Sequence, residues 1–399
     1  MDRGGVTYPE GFVASGINCG IKKGKNDLSL IFSESECVAA GTFTTNQFKS
    51  YSLLISLKNI ENPIRAILIN SGNANACNGK ENLENSKKII IKLSEILGIP
   101  SNSILFASTG IIGKPLPYEK IINSLPELVE KLSTFSHTEA AMGIMTTDRK
   151  IKEFHINTGI IGRKKEVVIG GMAKGAGMVN PNMATMLAFI TTDAVIHKDA
   201  LKMALKDAVD DSFNMINIDN DTSTNDMVVC LANGLARNRR IHPDTPEYEK
   251  FAESLKEVCR QLARKIAEDG EGSDKLIEVV VKGGWCKKDV RRVAKKVAGS
   301  NLVKSAIAGN WLNWGRIISA IGSTNARIDL KKIEISINGI KIYKGEPLNF
   351  PEKEVEESLK RKVVRIEIDL KRGKFETISW GCDLTEEYVR INRGETDDS

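Results

Sequence analysis

Apolar residues recur at helical spacing in three long stretches: Leu83 to Leu97 with Gly98 behind it, Leu201 with Leu205, Ala208 and Val209, and Tyr248 to Ile266. Each predicts an amphipathic helix, the first stopped by its glycine. From Lys287 to Lys296 the same period sets Val290, Val293, Ala294 and Val297 on one face and a dense run of charges on the other, a helix with a solvated basic face. Elsewhere the period falls to two. Ile333, Ile335 and Ile337 lead into Asn338-Gly339, with Ile340 and Ile342 behind it, which is a hairpin signal. Val364, Ile366, Ile368 and Leu370 predict a further strand, ended by Lys371-Arg372-Gly373-Lys374. Helices and strands together predict a mixed α/β (α+β) fold. Between about Gly170 and Asp193 the pattern changes character. A glycine-rich, proline-containing stretch of flexible backbone runs straight into a strand-like segment beginning at Thr185.

At 399 residues the chain is long enough for two or three domains or lobes, and no linker, repeat or low-complexity block marks a boundary. Hydrophobic residues make up 41% and charged residues 27%, the composition of a globular protein. No stretch approaches the roughly 20 apolar residues of a membrane helix, and the N-terminus lacks the pattern of a secretory leader, so a cytoplasmic location is expected. Seven scattered cysteines without a CxxC pair suggest neither a disulfide framework nor a zinc site. A net charge of +6 is mild, and no aromatic residues interleave with the basic run, which argues against nucleic acid as a partner.

On residue chemistry alone, Ala173 to Gly177 reads as a glycine-rich turn or a phosphate-cradling loop, although it lacks the spacing of either common nucleotide fingerprint. Thr185 reads as an ordinary strand threonine or as something sharper. A threonine behind a small residue and an Asn180-Pro181-Asn182 turn can attack the carbonyl carbon of Ala184, shifting the peptide to an ester that water hydrolyses. Cleavage would free an α-amine of pKa about 7.7–8.0 that can serve as the base for the threonine's own hydroxyl. This suits a chain whose four histidines, His137, His155, His197 and His242, sit in no recognisable triad setting.

Lys174-Gly175-Ala176-Gly177-Met178, followed by Pro181 to Leu187, closely resembles the signature of the ornithine acetyltransferases, or glutamate N-acetyltransferases, of arginine biosynthesis. Further blocks follow in that family's order. They include Gly20 to Lys23, Phe43 to Asn46, Asn70 to Cys77, Ser108 to Gly113, Met145 to Asp148, Asp221 to Met227, Asp269 to Gly272, Asn313 to Ile317 and Trp380 to Leu384.

The resemblance implies a self-cleaving two-chain α/β sandwich, with an α chain of residues 1–184, a β chain of residues 185–399, and a heterotetramer of two of each. It implies Ala184 and Thr185 at the cut, Thr185 as nucleophile, and Thr109 and Gly110 as the oxyanion hole. Thr147, Lys174, Thr185, Glu271 and Asn392 would contact substrate, Lys174 through a carboxylate and Glu271 through an ammonium group. Thr146 lies one register from Thr147. The implied reaction moves an acetyl group from N2-acetylornithine to glutamate through an acetyl-threonine, without metal or organic cofactor; acetyl-CoA is a second donor in bifunctional members. An N-terminal-nucleophile amidohydrolase or aminopeptidase, with water as acceptor, and a self-processed binding protein are the alternatives. The chain departs from the family at Trp311-Leu312, where Asp-Pro is usual, and after Asn392, where Arg393-Gly394-Glu395-Thr396 replaces a motif ending in a hydroxyl residue. Asn392 carries over, whereas Thr396 is a weak counterpart.

Overall fold

The computed structural model describes residues 3–179 and 186–394. Its strands are β1 (Phe12–Ile17), β2 (Leu28–Phe43), β3 (Ile64–Asn73), β4 (Ile104–Ile111), β5 (Lys152–Ile161), β6 (Glu166–Lys174), β7 (Leu187–Thr192), β8 (Ile216–Asn217), β9 (Met227–Ala232), β10 (Leu276–Gly284), β11 (Glu334–Ile337), β12 (Ile340–Lys344), β13 (Val363–Asp369) and β14 (Phe375–Cys382). They fall into two compact units through which the chain passes more than once.

The first unit takes in Met1–Gly175, Asn182–Asp210 and Thr222–Leu262. Its eight-stranded sheet runs β4-β3-β2-β9-β7-β6-β5, with β1 paired to β2. Successive residues of β3 point to opposite faces and both faces are apolar. Ile67 and Ile69 join a core with Phe12, Leu105, Met172, Phe189 and Leu231, while Ala66 and Leu68 join another with Leu30, Phe106, Ile89 and Leu125. Continuous apolar runs rather than clean alternation are what a sheet covered on both sides requires, and each such buried side chain contributes about 1.5–3 kcal/mol. The helix Glu81–Leu97 covers the second core and ends at Gly98 with φ 64°, the left-handed stop its sequence predicts.

Strands from both sides of the 184–185 bond share this sheet, since β7 and β9 lie between β2 and β6. The stretch from Gly170 to Lys174 corrects the reading of flexible backbone, because it is the buried second half of β6. Its glycines serve close packing. A Cβ on Gly170 would fall 1.9 Å from the carbonyl oxygen of Gly5.

The second unit, Ala176–Pro181, Asp211–Asp221 and Ala263–Ser399, carries the six-stranded sheet β12-β11-β13-β10-β14-β8. The expected hairpin joins β11 to β12 through Asn338 and Gly339, both at positive φ. The helix Lys287–Ala298 packs Val290, Val293, Ala294 and Val297, all fully buried, against β10 and β14. Among the described residues no helix is long and apolar enough to cross a membrane.

Candidate active site

In the first unit, β4 carries Thr109 and Gly110 to its exposed end. The preceding Ser108 is locked inside the sheet, its hydroxyl 2.6 Å from Asn70 Oδ1, and the amide of Asn225 donates to the carbonyls of Ser108 (2.7 Å) and Ala74 (2.6 Å). Two asparagines thus fix the strand one residue before the proposed oxyanion pair. Gly110 has φ 134°, a conformation reserved for glycine.

Lys174 closes β6, buried, with Leu187 opposite it as its antiparallel partner on β7. Its ammonium lies 3.3 Å from Thr109 Oγ1 and 3.9 Å from a carboxylate oxygen of Asp148. Asp148 is buried beside Lys152, at 2.6 Å, and accepts the backbone N–H groups of Gly175 (2.7 Å) and Thr146 (3.0 Å). Burial alone would raise this carboxyl's pKa. The charges of Lys152 and Lys174, with the hydrogen bonds from Lys152 and Thr146, hold it far below the usual carboxylate range. Thr147 is half-buried in the same block. Lys22 donates to the carbonyl of Met145 (2.7 Å), and burial lowers its pKa to about 8, opposed by Asp27 and reinforced by the like charge of Lys174.

In the second unit, Glu271 donates its N–H to the carbonyl of Ala176 (2.9 Å) and accepts from the amide of Asn392 (3.1 Å), which sits on the helix Glu386–Asn392. A Cβ on Gly177 would fall 2.3 Å from Glu271 Oε2, so only glycine admits the carboxylate there. Asp219 accepts the N–H groups of Met178 (2.5 Å) and Val179 (2.8 Å), and Val179 in turn accepts from Ile218 at 2.6 Å. Burial, then the negative charges of Asp219 and Glu271, push the Tyr388 hydroxyl upward, so it stays neutral and able to donate.

Ala184 and Thr185, with Asn180-Pro181-Asn182 and Thr396, lie outside the described residues. Of the other expected contacts, Thr109, Gly110, Thr147 and Lys174 belong to the first unit, and Glu271 and Asn392 to the second.

The family model for ArgJ matches residues 13–394. The chain belongs to the ArgJ family. It is 46% identical over 392 residues to the arginine biosynthesis bifunctional protein ArgJ of Thermotoga neapolitana, covering 96% of this chain and 98% of the relative. Against the protein of the same name from Oceanobacillus iheyensis it is 43% identical over 400 residues, covering 98% and 96%. The crystal structure of the Bacillus halodurans arginine biosynthesis bifunctional protein ArgJ aligns with a TM-score of 0.51 at 46% identity. That alignment covers all of the solved chain and 53% of this one.

Family resemblance and residue chemistry did not single out Asp148, Lys22, Asn225 or Asp219 in this ArgJ-family chain. Each is a polar residue whose meaning comes from partners distant in sequence. Asp148, beside the expected Thr147, was the most accessible to motif reading.

Proposed function

We propose that this ArgJ-family protein cuts itself between Ala184 and Thr185 and transfers acetyl from N2-acetylornithine to glutamate through Thr185. The observation that carries the reading is the pairing of Leu187, two residues beyond Thr185, with Lys174, whose ammonium reaches the hydroxyl of Thr109. The sheet thereby ties the strand that follows the nucleophile to the strand end that holds the oxyanion pair.

In the proposed reaction the Thr185 hydroxyl attacks the acetyl carbonyl, and its proton passes to the free Thr185 amine. Thr109 and Gly110 stabilise the oxyanion, a contribution of about 3–4 kcal/mol per donor in comparable sites. Collapse expels ornithine, which takes that proton, and leaves acetyl-Thr185. The α-amine of glutamate then attacks the ester to give N-acetylglutamate and restore the threonine. Lys174 pairs with the substrate carboxylate and Glu271, oriented by Asn392, with an ammonium group. The chemistry calls for no metal or organic cofactor, because nucleophile and base reside on one residue.

The proposal includes acetyl-CoA as a second donor, in keeping with the "bifunctional" name of the relatives, an assembly of two α and two β chains, and a cytoplasmic setting. Denaturing electrophoresis of the purified protein beside Thr185→Ala, with acetylglutamate and acetate both assayed, tests the reading. Two bands, one for the variant, and acetylglutamate formation are expected. A full-length chain with full activity overturns the self-cleavage mechanism, and acetate release without acetylglutamate makes the protein an amidohydrolase instead.

A further inference from the structure

Asp148 takes no part in the steps above, yet its buried carboxylate is bonded to Lys152 and to the N–H groups of Thr146 and Gly175. We infer that Asp148 is a positioning residue that acts through Lys174 on the hydroxyl of Thr109, turning the threonine's proton toward the developing oxyanion. The inference rests on reading Thr109 as an oxyanion donor.

One buried carboxylate faces two ammonium groups. Lys152, 1% exposed, takes the short contact at 2.6 Å, and Lys174 stands at 3.9 Å with Thr109 Oγ1 3.3 Å away. An ammonium carries three donors and no acceptor, so Thr109 must accept from Lys174 with its oxygen. Its single proton therefore points away from Lys174, and an oxygen bonded to a cation holds that proton less tightly. Both effects favour donation to an oxyanion. The arrangement depends on Lys174 staying protonated. Lys152, and Lys22 through its field, oppose a third positive charge, and Asp148 is the anion that sustains it. A neutral Lys174 could accept the Thr109 proton and reverse the bond. Asp148 also fixes the main chain, since its carboxylate receives the N–H of Gly175, next to Lys174.

The test is a double-mutant cycle on the complete protein, followed by acetylglutamate formation. Asp148→Asn, which keeps an acceptor oxygen for the N–H of Gly175 and leaves Lys152 charged, is made with Thr109 intact and in Thr109→Val. With Thr109 intact, kcat is expected to fall about 10-fold, KM to move less than about 3-fold, and the alkaline limb of the kcat profile to shift to lower pH. In Thr109→Val the same substitution is expected to lower kcat by less than about 2-fold, because its target is gone. Equal factors in both backgrounds, or an unmoved alkaline limb, overturn the inference alone. If Thr109→Val by itself leaves kcat intact, the oxyanion reading fails and the inference falls with it. Should Asp148→Asn not fold, Lys174→Met in the same cycle must show the same non-additivity in kcat, and additive effects overturn the inference.

Discussion

Gly72 and Gly110 stand opposite each other on β3 and β4, so close that a Cβ on Gly110 would fall 2.3 Å from the carbonyl carbon of Gly72. Backbone cannot retreat as a side chain can. Gly110→Ala therefore has to shift the strand end or strain a φ of 134°, and either moves Thr109 and its own N–H. The expected outcome is a loss of about 100-fold or more in kcat for acetylglutamate formation, with melting temperature measured alongside to register the strain.

Met178 and Val179 are the last residues described before the proposed cut, and both donate to Asp219. Asp219→Ala removes the acceptor of two backbone groups at once, so self-cleavage is expected to slow by about 10-fold or more. Asp219→Asn, which keeps one acceptor oxygen, should fall between the two. A time course of full-length chain on a denaturing gel reads the effect directly.

Asn392 donates to Glu271 and to the carbonyl of Tyr388. Asn392→Ala removes one donor that orients the carboxylate. An increase of about 3- to 10-fold in KM for N2-acetylornithine is expected, with kcat little changed, because an orientation lost in both the bound and transition states weakens binding uniformly. Initial rates across substrate concentration check it.

Burial lowers the pKa of Lys295 from 10.5 to about 8. Its folded pKa lies below its unfolded one, so between pH 8 and 10.5 the unfolded chain binds more protons and stability rises with pH. Below about pH 8 the cost of the buried charge is fully present. Lys295→Met is expected to stabilise the protein by about 1–2 kcal/mol at pH 7 and to lose most of that gain by about pH 10.5. Denaturant titrations at the two pH values decide it.

Several elements were legible before any coordinates. The helix Lys287–Ala298 buries the four apolar residues its period assigns to one face, and the β11–β12 hairpin turns at Asn338-Gly339. Periodicity succeeds there because each element has one covered and one wetted face. It fails for β6, where both faces are covered and Gly170 and Gly171 are set by close neighbours rather than by a turn.

By itself the sequence determined the secondary-structure pattern, the family, and the identities of Thr109, Gly110, Lys174 and Glu271 as candidates, since these depend on local spacing and motif. Only the tertiary structure decided that Lys174 reaches Thr109 across 65 positions of chain, with Asp148 behind it, and that Leu187 stands opposite Lys174. Hydrogen bonds and buried charges act over a few ångströms of space, and a linear pattern carries no record of which distant residues the sheet brings within that range.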